Sequence, residues 1–366
     1  MHLSPALRQA YTQEHLTAPE AQLMAQRIAW APVVFQVSRL MLKFGILQLL
    51  RDADAPGLTI DEVASQKGLP PYAVKVLMEA SLSVGTVMVD PASERFTLTK
   101  TGWFLITDAS TRTNIDFNHD VNYQGMFHLE ESLLQGKPVG LRHFGDWPTV
   151  YEGLSSLPPE VQQSWFGFDH FYSDGSFPQA LQLVFERKPR TLLDVGGNTG
   201  RWALQCVGYD PHVSVTVMDL PQQIALMRQH IAGQPGSDRI DAYAANLLDP
   251  SAEFPAHRHY DAIWMSQFLD CFSEAEALSI LQRAASIVDS DSRLYIMETL
   301  WDRQRYATAA FCLTMTSLYF TAIANGNSKM YNTDDLERII SQAGLHVEAI
   351  HDQLGLGHSI IVCSKS

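Results

Sequence analysis

Residues 191–206 read TLLDVGGNTGRWALQC, and the reading of this stretch decides the fold. Thr191 to Val195 form a short, mostly apolar run that reads as a buried strand, two glycines end it, and a helical pattern starts at Arg201. The glycines at 196, 197 and 200 let a ligand lie against main-chain amides at a helix N-terminus. A second run, SVTVMDLP, reads as a strand ending in Asp219, 25 residues after Asp194. An acid at that tip can accept hydrogen bonds from both hydroxyls of a ribose. Together the two stretches predict a nucleoside pocket.

Outward from this stretch the pattern alternates. TLLDV is followed by a helix to about 208, SVTVMDL by a helix at 221–233, and RIDAYAAN by the strand DAIWMSQ; a helix at 274–288 then precedes RLYIMET. A last helix at 333–344 leads into HVEAIHDQ and SIIVCSKS, a terminal hairpin. This order predicts an α/β, Rossmann-like, doubly wound parallel sheet over 188–366. Residues 111–187 read as a helical connector rich in aromatics, including Tyr123, Phe127, Trp147, Tyr151, Trp165, Phe166 and Tyr172, most expected as core and some as pocket lining. Residues 1–110 read as a mostly α-helical first domain. It begins with a polar helical stretch to 27 and one continuous apolar helix over 28–50, which carries more apolar surface than one subunit covers and so points to a dimer. Thr59 with Glu62 fits a capping box, Pro70 and Pro71 open a second helix, and TVMVD with RFTLT around Pro91–Glu94 fits a hairpin. Helix, turn, helix and hairpin make a winged-helix unit.

Net charge narrows the partners. A formal charge of −14 and a pI near 5.3 disfavour nucleic acid and anionic membranes, which are held by clustered Lys and Arg. Arg39 and Lys43 interrupt the 28–50 tract, which favours a buried or interfacial helix over a membrane span. Cysteines at 206, 271, 312 and 363 form no CxxC pair, so neither a disulfide framework nor a metal site is expected. The first sixteen residues do not have the pattern of a signal peptide, and a cytoplasmic setting is expected.

A dinucleotide fingerprint needs GxGxxG, but Val195 stands at the first glycine position if Gly197 and Gly200 fill the others. Asp194 before the glycines, Asp219 after the second strand and Asn246 after the third suit a mononucleoside with no pyrophosphate to cradle. That description fits S-adenosylmethionine, with its amino-acid end near Gly196 and its adenine amine near Asn246.

With these motifs in place the chain resembles the class I S-adenosylmethionine-dependent small-molecule O-methyltransferases of the plant caffeic acid and bacterial antibiotic- and phenazine-tailoring type. DVGGNTG resembles the family's glycine motif, MDLP its ribose-binding acid, and FLDCFSEAEALSIL the segment usually read LHDWSDEEALKIL. The resemblance implies a winged-helix dimerisation domain, a homodimer, and cofactor contacts from Asp194, Gly196, Gly197, Asp219, Leu220, Asn246, Leu247, Met265, Ser266 and Phe272. Hydrophobic core explains Leu247 and Met265 equally well.

The catalytic pattern departs from the family. Where the resemblance implies a histidine base, this chain has Asp270, followed by Cys271 and Phe272. Glu298 falls where the family's first orienting carboxylate does, and Tyr331 stands in place of the second. An ordinary aspartate, pKa about 3.9, is a poor base for a phenol of pKa about 10, although burial beside Glu298 can raise it. Several readings stay open: Asp270 as base with Glu298; a substrate acidic enough to ionise unaided; or another histidine from His119, His128, His170 and His358. Of these, His170 in FDHFYSDGS is preferred, because in the family that segment covers the sulfonium. A cofactor-binding relative that has lost methyl transfer and a winged-helix ligand-sensing regulator are the remaining alternatives.

Overall fold

The computed structural model describes residues 1–53 and 55–365. By contacts the chain divides into two compact units, Glu14–His119 and Met1–Gln13 with Asp120 onward.

In the Glu14–His119 unit the expected 28–50 helix is three pieces. One helix ends at Ala29, a second spans Ala31–Lys43, and a third, Ile46–Asp52, leaves at 57°. Gly45 causes the bend: at φ +68 it adopts the left-handed conformation that stops one helix and starts the next. Thr59 and Glu62 form the reciprocal cap, with Thr59 N–H donating to Glu62 Oε2 at 2.8 Å, and the following helix spans Ile60–Lys67. A helix at Pro71–Val84 precedes the hairpin of β1 (Val87–Asp90) and β2 (Arg95–Leu98), which pair antiparallel. Arg95 joins hairpin to helix by donating to both oxygens of Glu62 at 2.8 and 2.9 Å. Met41, Ile46, Leu47, Val63, Val74, Met78 and Phe96 fill the core between them.

The other unit is built on a seven-stranded sheet. Its strands are β3 (Thr191–Val195), β4 (Ser214–Asp219), β5 (Ile240–Ala244), β6 (Ala262–Ser266), β7 (Arg293–Glu298), β8 (Leu345–Leu354) and β9 (His358–Lys365), in the spatial order β5-β4-β3-β6-β7-β9-β8. The first five are parallel, and β9 and β8 add antiparallel at one edge as the expected hairpin. One apolar cluster, with Leu193, Met265, Ile280, Ile296 and Ile361, and another, with Leu192, Trp202, Val215, Trp264 and Met297, account for the alternating side chains of strands such as β3 and β6. Strand order reverses between β3 and β6, the place where such sheets open a crevice for ligands.

Residues 1–13, read from the sequence as part of the first domain, belong to this unit. Ser4 N–H donates to Asp302 O at 2.9 Å and Ser4 Oγ to Gln304 O at 2.7 Å, so helix Pro5–Tyr11 starts from a loop 300 residues away in sequence. Among the described residues one helical stretch, Ala307–Ala324, is long and apolar enough to cross a membrane.

Candidate active site

The glycine turn lies at the switch point. Gly196, at φ +74, donates its N–H to Met218 O at 2.8 Å, tying the end of β3 to β4. Asp219 at the tip of β4 accepts the Asn198 N–H at 2.8 Å and the Leu220 N–H at 2.7 Å. A side chain at Gly197 would meet Asp194 Oδ2 at 2.6 Å, so this part of the turn must stay bare main chain. Asp194 itself is buried, and burial followed by the charge of Asp219 pushes its carboxyl up to about 8. Asp194 Oδ2 and Asn198 Oδ1 are buried with no hydrogen-bond partner among the described residues. A bare turn, a ribose-type acid and orphaned polar atoms suit a nucleoside carrying polar groups of its own.

The other proposed cofactor residues separate by environment. Asn246 is exposed beyond β5, where its Oδ1 accepts the Leu248 N–H at 3.0 Å. Leu247 and Met265 are buried members of the main core cluster. Ser266 ends β6, half-buried. Phe272 packs edge-on against Phe268 at 4.8 Å, and a Cβ at Gly196 would strike the Phe268 ring.

Beyond β6 the chain turns sharply. Gln267 takes φ +45, and the Glu298 carboxylate at the end of β7 then accepts the N–H groups of Phe268 and Leu269 at 3.1 and 2.9 Å. This turn places Asp270 inside, 3% exposed, where its Oδ1 accepts the Cys271 thiol at 3.5 Å. Burial, reinforced by the charge of Asp169, lifts the Asp270 carboxyl to about 7. Burial and then Asp270 push Glu298 well above the ordinary range. Tyr331, in place of the family's second carboxylate, donates to Phe272 O at 3.0 Å, and Asn325 Nδ2 donates to Cys271 O; both hold the segment from its far side.

The histidines divide clearly. His358 is fully buried with both nitrogens engaged, Nδ1 with Ser176 Oγ at 2.9 Å and Nε2 with Gln267 Oε1 at 3.0 Å; burial lowers it to about 4. It braces Gln267 and has no nitrogen left for a substrate proton. His128 lines an open cavity of about 620 Å³ with Tyr123, Gln124, Phe127, Arg142 and His143, none of them from the Asp270 cluster. His119 belongs to the Glu14–His119 unit. His170 lies on helix Pro159–Ser173 with Nδ1 3.7 Å from Asp169 Oδ2.

Four residues around Asp270 were not singled out as site residues from the sequence. Asp169 acts electrostatically on both Asp270 and Tyr319. Trp165 Nε1 donates to Tyr319 Oη at 2.6 Å, and the Tyr151 hydroxyl lies near Cys271, Tyr319 and Asp270. Tyr151 and Trp165 stand among the aromatics from which pocket lining was expected; for Asp169 the sequence signal is its place four residues after Trp165 on one helical face.

A parallel sheet reversing between β3 and β6, a bare glycine turn at the first crossover and an acid at the next strand tip define the class I S-adenosylmethionine-dependent methyltransferase fold. Residues 22–96 match the Dimerisation2-like domain and residues 179–346 the O-methyltransferase domain. The chain belongs to the S-adenosylmethionine-dependent small-molecule O-methyltransferase family. It is 22% identical over 355 residues to the L-tyrosine C(3)-methyltransferase of Streptomyces lavendulae, covering 94% of each chain. With the 3-hydroxy-5-methyl-1-naphthoate 3-O-methyltransferase of Streptomyces sahachiroi it shares 32% identity over 113 residues, 31% of this chain and 32% of that one. Its fold matches the mitomycin 7-O-methyltransferase MmcR with a TM-score of 0.69 at 17% identity, over 94% and 98% of the two chains. The neocarzinostatin-pathway O-methyltransferase NcsB1, in complex with S-adenosylmethionine and 2-hydroxy-5-methyl naphthoic acid, gives a TM-score of 0.66 at 21% identity, over 91% and 96%. The protein is thus a methyltransferase that uses S-adenosylmethionine.

Proposed function

We propose that the enzyme methylates a phenolic hydroxyl of a small aromatic or polyketide-like metabolite, with Asp270 as the general base. The observation that carries this reading is the buried Asp270 carboxyl, raised to about 7 and surrounded by Cys271, Tyr151 and Tyr319. S-adenosylmethionine supplies an electrophilic methyl group on a sulfonium leaving group. The chain's own work is to place the acceptor in line and to take its proton. The acceptor O–H passes its proton to the Asp270 carboxylate as its oxygen gains the methyl group, leaving a methyl ether, S-adenosylhomocysteine and protonated Asp270. A base near 7 is far better matched to a phenol than one at an aspartate's usual value. Glu298 fixes the turn that carries Asp270, and His170, beside Asp169, is the alternative base.

For the cofactor, Asp194, Gly196 and Gly197 are assigned to the amino-acid end, Asp219 and Leu220 to the ribose, and Asn246 and Leu247 to the adenine. Met265, Ser266 and Phe272 flank it. Residues 188–366 are assigned as the catalytic domain, 111–187 as the connector contributing to the acceptor pocket, and the expected first domain of 1–110, less the residues 1–13 that pack with the sheet unit, as the dimerisation domain of a cytoplasmic homodimer. Exposed Leu23, Ile28, Trp30 and Val33 on consecutive helices support that last assignment, and a monomer by light scattering at micromolar concentration would remove it. The test of the activity is acceptor-dependent formation of S-adenosylhomocysteine across a panel of phenols and hydroxynaphthoates. Binding of the cofactor without turnover of any phenol would count against it.

A second reading concerns the acceptor atom. A relative that matches along nearly the whole chain, the L-tyrosine C(3)-methyltransferase, is a C-methyltransferase. A phenol deprotonated by Asp270 is nucleophilic at its ortho carbon as well as its oxygen, and methylation there forms a C–C bond and then releases the ring proton. Product NMR separates a methoxy from an aryl-methyl group.

A further inference from the structure

The turn that carries Asp270 is held from two sides. Glu298 takes its main chain, and a row of three side chains takes the residue that starts it. That residue is Gln267, half-buried beyond the tip of β6 at φ +45, where the Cβ of any residue but glycine crowds its own main chain. Its N–H donates to Met297 O at 2.8 Å, and its Oε1 lies 3.0 Å from His358 Nε2. His358, the first residue of β9, is fully buried, and its Nδ1 lies 2.9 Å from the equally buried Ser176 Oγ. A neutral imidazole has one N–H, so the assignment that satisfies all three side chains has Nε2–H donating to Gln267 Oε1 and bare Nδ1 accepting the Ser176 hydroxyl. Burial lowers His358 to about 4, which keeps it in this neutral form near pH 7. The Ser176 hydroxyl also lies 3.4 Å from Leu354 O, a longer and weaker alternative.

Ser176 is itself fixed. It ends the turn Asp174–Ser176 after helix Pro159–Ser173, and the β8–β9 hairpin lies so close that a Cβ at Gly355 would meet Ser176 Oγ at 2.5 Å. Gly355 N–H donates to Gln179 Oε1 at 2.8 Å, which ties the hairpin tip to the following helix. A non-glycine residue persists in the left-handed region only where its surroundings impose it. We infer that Ser176 and His358 are positioning residues, a buried hydrogen-bonded row that locks Gln267 in its left-handed conformation and so fixes the Asp270 carboxyl three residues on. Its part in methyl transfer rests on the reading of Asp270 as the base. Release of Gln267 lets the turn relax, admits water to the Asp270 carboxyl and moves it off the line to the acceptor.

The test compares Ser176→Ala, Gln267→Ala, Gln267→Gly and the double variant of Ser176→Ala with Gln267→Gly, all in the full chain. Titration of the Asp270 carboxyl is followed without turnover, by infrared difference spectra against Asp270→Asn in each background. Cys271, Glu298 and Asp169, the ionisable groups that act on Asp270 or feel its charge, stay in place, so a moved midpoint reports the turn. Ser176→Ala and Gln267→Ala should lower the midpoint from about 7 by about one pH unit and cut kcat about tenfold. Affinity for S-adenosylhomocysteine should not change, which also reports that the variants are folded. Gln267→Gly takes the left-handed conformation at no steric cost and should recover most of what Gln267→Ala loses. Adding Ser176→Ala to it should then change neither readout by more than about twofold, because the two sites act through one residue. A parent-like midpoint in Ser176→Ala, or a loss in Gln267→Gly as large as in Gln267→Ala, would overturn the inference. So would affinity for S-adenosylhomocysteine that falls in step with kcat, since the row would then serve the cofactor. Should Ser176→Ala not fold, the two Gln267 variants, at a half-buried position, decide the matter alone. A midpoint that moves as expected while kcat does not would count against Asp270 as the base, leaving the row as what holds its carboxyl.

Discussion

The Glu298 carboxylate accepts the Leu269 N–H at 2.9 Å, one residue before Asp270. The acid that the family uses to orient a histidine here orients a turn of main chain. Glu298→Ala should leave two amides unsatisfied and cost about 1–3 kcal/mol for each that stays buried. Urea unfolding measures that cost, and kcat should fall with it as Asp270 loses its fixed position. Glu298→Gln keeps an oxygen for the two amides and should recover most of the stability. If the alanine variant kept its full kcat, Asp270 would not depend on this turn.

Asp270→Asn removes the base while keeping size and polarity. With a phenol acceptor, kcat should fall by about 10²–10⁴, the usual worth of a positioned base. In the parent enzyme the carboxyl is neutral below its raised pKa of about 7, so kcat should climb as pH rises through that value, and the Asn variant should lack this limb. A pH profile of kcat for both proteins checks the assignment. An unaltered limb in the variant would transfer it to another group.

Stability should respond to pH in the opposite sense. Burial raises Asp270 to about 7 and Asp194 to about 8, both from 3.8, so the folded chain holds protons that the unfolded chain has already released. Stability from such groups is present at low pH and is lost as pH rises through the folded values. Buried His358, lowered to about 4, has the reverse effect only below about 6.5, its ordinary value. The window from about 6.5 to 8 therefore isolates the carboxyls, lying below the ionisation of unfolded thiols at about 8.5 that the buried cysteines would add. The urea midpoint of the ligand-free protein should decline across it, and Asp194→Asn should flatten the decline.

Asp219 holds the glycine turn through Asn198 N–H and is assigned to the ribose hydroxyls. Asp219→Ala should weaken S-adenosylmethionine binding by roughly 1–3 kcal/mol, measurable by calorimetry. Unchanged affinity would place the pocket elsewhere.

What the sequence made legible was local. Strand, glycine turn and helix at 191–206, the acid closing β4 and the Thr59–Glu62 cap are each set by residues within a few positions of one another, and the structure has them where the spacing put them. The break at Gly45 was missed because one glycine in a long apolar run does not disturb its hydrophobic pattern, although it takes a torsion that ends a helix. The wall of the candidate pocket escaped for a different reason. Tyr151, the helix that carries Trp165 and Asp169, and Tyr319 belong to three separate segments, and nothing in any one of them reveals that they meet near Asp270. Asp169 is likewise silent in the sequence, because its effect on Asp270 depends on a contact made by the fold and not on its neighbour His170.

The bond between Ser4 and the main chain at Asp302 and Gln304 bears on the order in which the molecule is made. On the ribosome, Glu14–His119 has all its own contacts available once residue 119 has emerged, whereas the segment before it must wait for nearly 200 more residues before its partners exist. Residues 1–13 are thus made well before their partners and are among the last to find their native place, as expected for a contact of such high sequence separation. Deleting residues 1–13 should therefore slow or loosen the closing stages of the catalytic unit while the helical unit, made earlier, folds as before.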